Sequence, residues 1–178
     1  MAASSFNLNS NQKAERKLLV TAVNVADTNI TSGGTPIWQV VGAGVEDSSV
    51  EFNPDTETVT DILGVTETTV NKFETSQDLE PMTVRGGSAL AVKLYNQVKY
   101  NQMSAFSQYD VMLIHAYVGS EGAYEAEVHK NCTLTPQSIG GSSYIDMPIT
   151  INFSNDKLHG TVNSYKYSDT ITFVQGSI

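Results

Sequence analysis

Residues 124–134, YEAEVHKNCTL, alternate along their length: Tyr124, Ala126, Val128, Cys132 and Leu134 fall on one side, Glu125, Glu127, His129 and Asn131 on the other. A period of two marks a half-buried strand, because successive side chains of an extended chain point to opposite faces. The neighbouring segments continue in the same way. Tyr109 to Val118 is nearly all apolar, as in a strand covered on both faces. Ile149, Ile151 and Phe153 lead through Ser-Asn-Asp-Lys at 154–157 into Leu158, Gly160 and Val162, which predicts a β-hairpin. Ile171 and Phe173, set against Thr170 and Thr172, predict one more strand.

Toward the N-terminus the β pattern persists. In KLLVTAVNVA (17–26), Leu19, Thr21, Val23 and Val25 oppose Leu18, Val20, Ala22 and Asn24, so both faces of this strand meet protein. IWQVVGAGV (37–45) reads as a second strand, with Gly42 and Gly44 suggesting a bulge or a close backbone approach. One helix interrupts the strands. Ser88 caps it, Leu90, Leu94 and Val98 recur every four residues beside Ala91 and Tyr95, and Lys93, Gln97 and Lys99 fall on wetter faces. The expected architecture is mainly β: one antiparallel β-sandwich or partly open barrel with a single flanking α-helix. A chain of 178 residues suits one domain, 18–178, behind a Ser-, Asn- and Gln-rich arm at 1–17 that is flexible unless a partner orders it.

The charge is unevenly placed. Ten of the nineteen carboxylates lie between Glu46 and Glu80, where Lys72 is the only base, so this stretch carries the whole net charge of −9. Thr, Asp, Glu and Asn dominate it, and Phe52, Ile62, Leu63 and Phe73 could pin short strands. A stretch of this length with little periodicity predicts a functional loop, too long for a hairpin and able to reach a neighbouring subunit.

Composition removes several classes of function. An acidic chain lacks the basic footprint that grips nucleic acid. With Cys132 alone, no internal disulfide can form and no multi-cysteine metal site is available. The N-terminal residues have no apolar core of a signal peptide and no window approaches a membrane span, which implies synthesis in a cytoplasm and a soluble product. His115, His129 and His159 form no ligand pattern, Cys132 reads as a core side chain, and no cofactor is expected. Glu125 and Glu127 share a strand face and could act as the acid and base of a hydrolase, a reading that ranks last. An acidic carbohydrate-binding module or adhesin is the other alternative, although Trp38 is the only tryptophan.

The order of five segments resembles the major tail tube protein of long-tailed bacteriophages, particularly the non-contractile siphophage type. These are LLVTAVNV (18–25), PIWQVVGAGVED (36–47), FNPDTETV (52–59), GGSALAVKLYNQVKYN (86–101) and GGSSYIDMPITINFSNDKLHGTVN (140–163). The approach to the helix departs from the family pattern at Arg85-Gly86-Gly87, as does the C-terminal extension at 164–178. The resemblance implies a structural virion protein rather than an enzyme. Hexameric rings of sandwiches would stack into a tube, in the host cytoplasm during assembly and in the virion tail afterwards. The implied partners are other copies of the chain, a tape measure protein, tail terminator and distal tail proteins, and viral DNA passing through the lumen without specific binding. The 46–80 loop would contact the next ring through Glu46, Asp47, Glu51, Asn53, Pro54, Asp55, Glu57, Asp61, Glu67 and Phe73.

Overall fold

In the computed structural model, residues 5–45 and 48–176 are described. The strands follow in chain order: β1 (Leu19–Asn24), β2 (Trp38–Val40), β3 (Val50–Glu51), β4 (Pro54–Thr60), β5 (Thr66–Phe73) and β6 (Ser76–Leu79). After the helix α1 (Ala89–Lys99) come β7 (Tyr109–Ser120), β8 (Ala123–Pro136), β9 (Ile149–Asn152), β10 (Lys157–Val162) and β11 (Phe173–Gln175). All strand pairings are antiparallel, and the main sheet runs β2-β1-β7-β8 before it divides. One branch continues through β9, β6 and β3, the other through β10 and β11. Among the described residues the sheet does not close into a barrel, and α1 is the only α-helix.

The division originates in β8. Met112 faces Val128 and Val111 faces His129, but Tyr109 faces Cys132, so β8 holds one residue more than β7 across this interval. Asn131 sits in the bulge with φ +56, a left-handed conformation that Asn tolerates better than most residues. An inserted residue exchanges the faces of everything beyond it. Ala126 and Val128 therefore join Ala22, Met112, Ile114 and Val162 in one core, whereas Cys132 and Leu134 join Val23, Tyr109, Val111 and Ile151 in the other. This corrects the single apolar face expected for 124–134. His129, expected on the polar face, is buried.

The expected hairpin through 154–157 is also replaced. β9 and β10 run in the same direction and pair in series with one long strand: Thr133–Pro136 of β8 with β9, and Tyr124–His129 with β10. The connecting residues follow the bulge, where the Lys130 amide donates to the Asp156 carbonyl at 2.9 Å and the two side chains form an ion pair.

Helix α1 covers the Leu134 core. The Ser88 hydroxyl accepts the Ala91 amide at 3.2 Å, and Gln39 from β2 accepts the Leu90 amide at 3.1 Å, so the N-terminus is both capped and attached to the sheet. Leu90, Ala91 and Leu94 are buried as expected, but the stripe ends on Gln97 while Tyr95 and Val98 stay exposed. At about 3.6 residues per turn, position i+7 returns almost to the starting direction and i+8 overshoots it. The Gln97 carbonyl is satisfied there by the Tyr109 hydroxyl at 2.7 Å. Gly42 and Gly44, with φ of +99 and +91, form a turn beyond β2 rather than a bulge within it.

The bulge gives a direct test. Asn131→Val should lower stability by about 1–3 kcal/mol in denaturant unfolding, because a β-branched residue resists positive φ. Asn131→Gly should cost clearly less, although it loses the side-chain bonds to Asn29 and Thr31.

Candidate functional site

The acidic stretch from residue 48 onward is ordered. Among the described residues, β4 and β5 pair only with each other, and every residue from 51 to 74 is exposed, so a bare two-stranded hairpin projects from the domain. At roughly 3.3 Å per residue, its seven-residue β4 arm reaches about 23 Å. β3 and β6 at its base belong to the main sheet, and Gln77 and Leu79 are buried. The expectation of a loop too long for a hairpin is therefore corrected. Alternation was hidden because Thr alternates with Glu, giving no apolar contrast for periodicity to report.

The root is fastened by Asn53, whose side-chain amide donates to the Glu74 carbonyl at 3.1 Å and to Ser76 at 3.0 Å. The Phe52 and Phe73 rings meet edge to face beside it, with centroids 6.2 Å apart. At the tip, Asp61 Oδ1 accepts the amides of Leu63 at 2.8 Å and Val65 at 2.9 Å. That turn leaves Ile62 and Leu63 with 102% and 82% exposure.

The hairpin has two unlike faces. Thr56, Thr58 and Thr60 stand opposite Val70, Thr68 and Thr66, and paired hydroxyls meet at 3.1 Å (Thr58–Thr68) and 3.0 Å (Thr60–Thr66). On the reverse, Asp55, Glu57 and Val59 stand opposite Lys72, Thr69 and Glu67; a register slip beyond Thr56 places Lys72 on that side. Of the sequence-selected contact residues, Asp55, Glu57 and Glu67 thus share a face, Asn53, Pro54 and Phe73 form the root, and Asp61 shapes the tip. Glu51 lies in β3, while Glu46 and Asp47 fall outside the described residues. The threonine face and exposed Val59, Val65 and Val70 were not singled out from the sequence. A two-stranded ribbon without a core is marginal alone, and its apolar groups lie uncovered.

A second surface lies along α1. Pro81 to Tyr109 contains Arg85, Lys93 and Lys99 but no acid. Val92, Tyr95, Val98, Tyr100 and Met103 are exposed there. Tyr95, Val98 and Lys99 border a cavity of about 370 Å³ against Pro136 and Ile139, with Met147 also lining it. Lys93, by contrast, is tied down: its amine donates to the Ala26 carbonyl at 2.6 Å, and burial lowers its pKa.

Glu127, one member of the candidate acid–base pair, does not suit the role of the acid. Glu127 receives Lys157 Nζ at 2.8 Å and lies 3.7 Å from His115 Nε2 and 3.5 Å from His129 Nε2. Burial raises its pKa, but the neighbouring His115 and His129 rings and the bond from Lys157 together outweigh that and hold it well below the usual carboxylate range. A general acid needs the opposite shift. His129 Nδ1 bonds the Ser154 carbonyl at 2.7 Å, so the cluster joins β8 to the connection between β9 and β10.

No family model matches the sequence, and no curated protein matches it. Among solved structures, the chain is similar to the sheath/tube terminator of an extracellular contractile injection system, PVC, in its extended state: TM-score 0.50, 14% identity, over 85% of this chain and 99% of that one. It also matches the PVC sheath–tube complex at TM-score 0.47 and 15% identity, over 85% and 94% of the two chains. The tube-terminating cap of the anti-feeding prophage matches at TM-score 0.48 and 15% identity, over 99% and 100%. At such identity the likeness to the terminator is one of fold.

Glu127→Gln should lower stability at pH 7 by about 3 kcal/mol, as expected when one member of a largely buried ion cluster is removed. The depressed carboxylate stabilises the fold above its unfolded pKa and loses that contribution as pH falls. The gap between the two proteins should therefore begin to close only below about pH 4 in urea titrations.

Proposed function

We propose that this protein is a structural tail component whose copies assemble into hexameric rings stacked as a tail tube, the conduit for DNA delivery. The observation that carries the reading is the β4–β5 hairpin: about 23 Å of ribbon, exposed on both faces and apolar at root and tip, projecting from an antiparallel body. A monomer gains little from such an extension, whereas a stacked subunit gains a contact. Among the described residues, strands β2, β3 and β11 each pair on one side only, leaving edges through which neighbouring subunits could join sheets. Head-to-tail joining closes into rings or runs on as helices.

The fold shared with a tube terminator supports the same assignment. The siphophage-type tail is the finer reading and rests on the segment order across 18–163. Within it, the partners are a tape measure protein, tail terminator and distal tail proteins, and transiting DNA. Six copies would carry six times −9, or −54. Any part of that charge lining a lumen would keep duplex DNA from adhering, over a screening distance of about 8–10 Å at physiological salt. The carbohydrate-binding alternative loses its best aromatic platform, because Trp38 is buried in the second core.

Negative-stain micrographs across rising protein and salt concentration test the role. Hollow tubes or six-fold rings are expected once salt screens the arms; single particles under every condition would overturn it. Replacing 54–73 with a two-residue turn should leave the unfolding midpoint nearly unchanged and abolish stacking. Tubes formed without the hairpin would remove it from the ring contact.

A further inference from the structure

We propose that the groove between α1 and the residues after β8 receives the Ile62–Leu63 tip of the β4–β5 hairpin from a second copy of this chain. The proposal rests on the tube reading and adds the receiving surface to it. The tip is apolar and almost fully exposed, so it needs an apolar seat. Tyr95, Val98, Pro136, Ile139 and Met147 supply one, in a cavity of about 370 Å³.

Charge selects the occupant. The hairpin and its flanks carry all of the chain's net negative charge, whereas the 29 residues from Pro81 to Tyr109 hold three bases and no acid. Lys99 stands at the rim of the groove, its amine 5.9 Å from the Tyr95 ring centre and 5.4 Å from that of Tyr100. Among the described residues it has no carboxylate within ion-pair distance. Asp61 complements it: both of its turn-forming hydrogen bonds fall on Oδ1, leaving Oδ2 for an incoming amine. A contact between two different surfaces of one chain is heterologous, so every added copy presents a fresh tip and a fresh groove.

Cysteine cross-linking tests the pairing. Cys132 is fully buried and burial pushes its thiol up to about 11, so introduced thiols react without interference. Leu63→Cys chains mixed with Ile139→Cys chains, full length and under assembling conditions, should give a disulfide-linked dimer on non-reducing gels. Leu63→Cys mixed with Val174→Cys on β11 should not. Lys99→Glu should raise the concentration needed for assembly by about three- to fivefold at the lowest salt that permits wild-type assembly. Assembly in which Leu63→Cys links only to itself or to Val174→Cys would overturn the groove assignment and leave the tube reading standing. Absence of any wild-type association would overturn both.

Discussion

The extra residue in β8 is the constraint on which the rest of the structure depends. Without it, Cys132 and Leu134 would stand on the same side as Ala126 and Val128, and the sheet would have one apolar face instead of two cores. Helix α1 would then have no surface on which to bury Leu90 and Leu94. Because a fully buried Leu or Val side chain contributes about 1.5–3 kcal/mol, exchanging faces across several positions amounts to a large share of a domain's net stability. The bulge also explains why one fourteen-residue strand hosts two partners in series, with β9 on one side of the slip and β10 on the other.

Polar groups hold this arrangement in register. Asp110, fully buried in β7, accepts Asn24 Nδ2 at 3.0 Å and the Ile30 amide at 2.7 Å, fixing the β1–β2 connection to the central strands. Asn29 from that connection reaches Asn131 at 3.2 Å, so the same loop touches the bulge itself. At the end of the β8–β10 pairing next to the bulge, Lys157 and two histidines converge on Glu127. Buried polar groups are costly when left unpaired, and these pairings favour one register over its slipped alternatives.

The strands of the body were legible because apolar and polar residues alternate visibly in KLLVTAVNVA and YEAEVHKNCTL. The bulge was not, since Lys130-Asn131 contains no glycine to announce positive φ, and one inserted residue preserves the look of alternation on either side. In α1 the four-residue repeat drew attention to Val98, whereas packing took Gln97, whose amide found a buried hydroxyl. The candidate site was legible as a location and not as a form. Its acids marked the segment that leaves the body, but Thr and Glu are both polar, so a ribbon with one threonine face and one acidic face carried no hydropathy signal. Ile62 and Leu63 were noticed as strand anchors and stand instead at a turn held by Asp61.

The β4–β5 hairpin, the least supported element, carries Asp55, Glu57, Asp61 and Glu67 against Lys72 alone, which has a physical consequence for association. The hairpins repel one another, over the roughly 8–10 Å that salt allows, so tip-to-tip and ribbon-to-ribbon pairings are disfavoured. The same charge draws the hairpin toward the acid-free surface of α1. One sign of charge thus opposes symmetric pairing while favouring the head-to-tail contact that can propagate. The ribbon has no core of its own and is marginal in isolation, so ordering it against a partner carries an entropic cost. Contacts at a single neighbour are then offset by that cost, and association strengthens when several hairpins engage at once on a formed ring. A subunit built this way would remain dispersed at low salt and low concentration, because repulsion and ordering entropy both act before the apolar tip is buried.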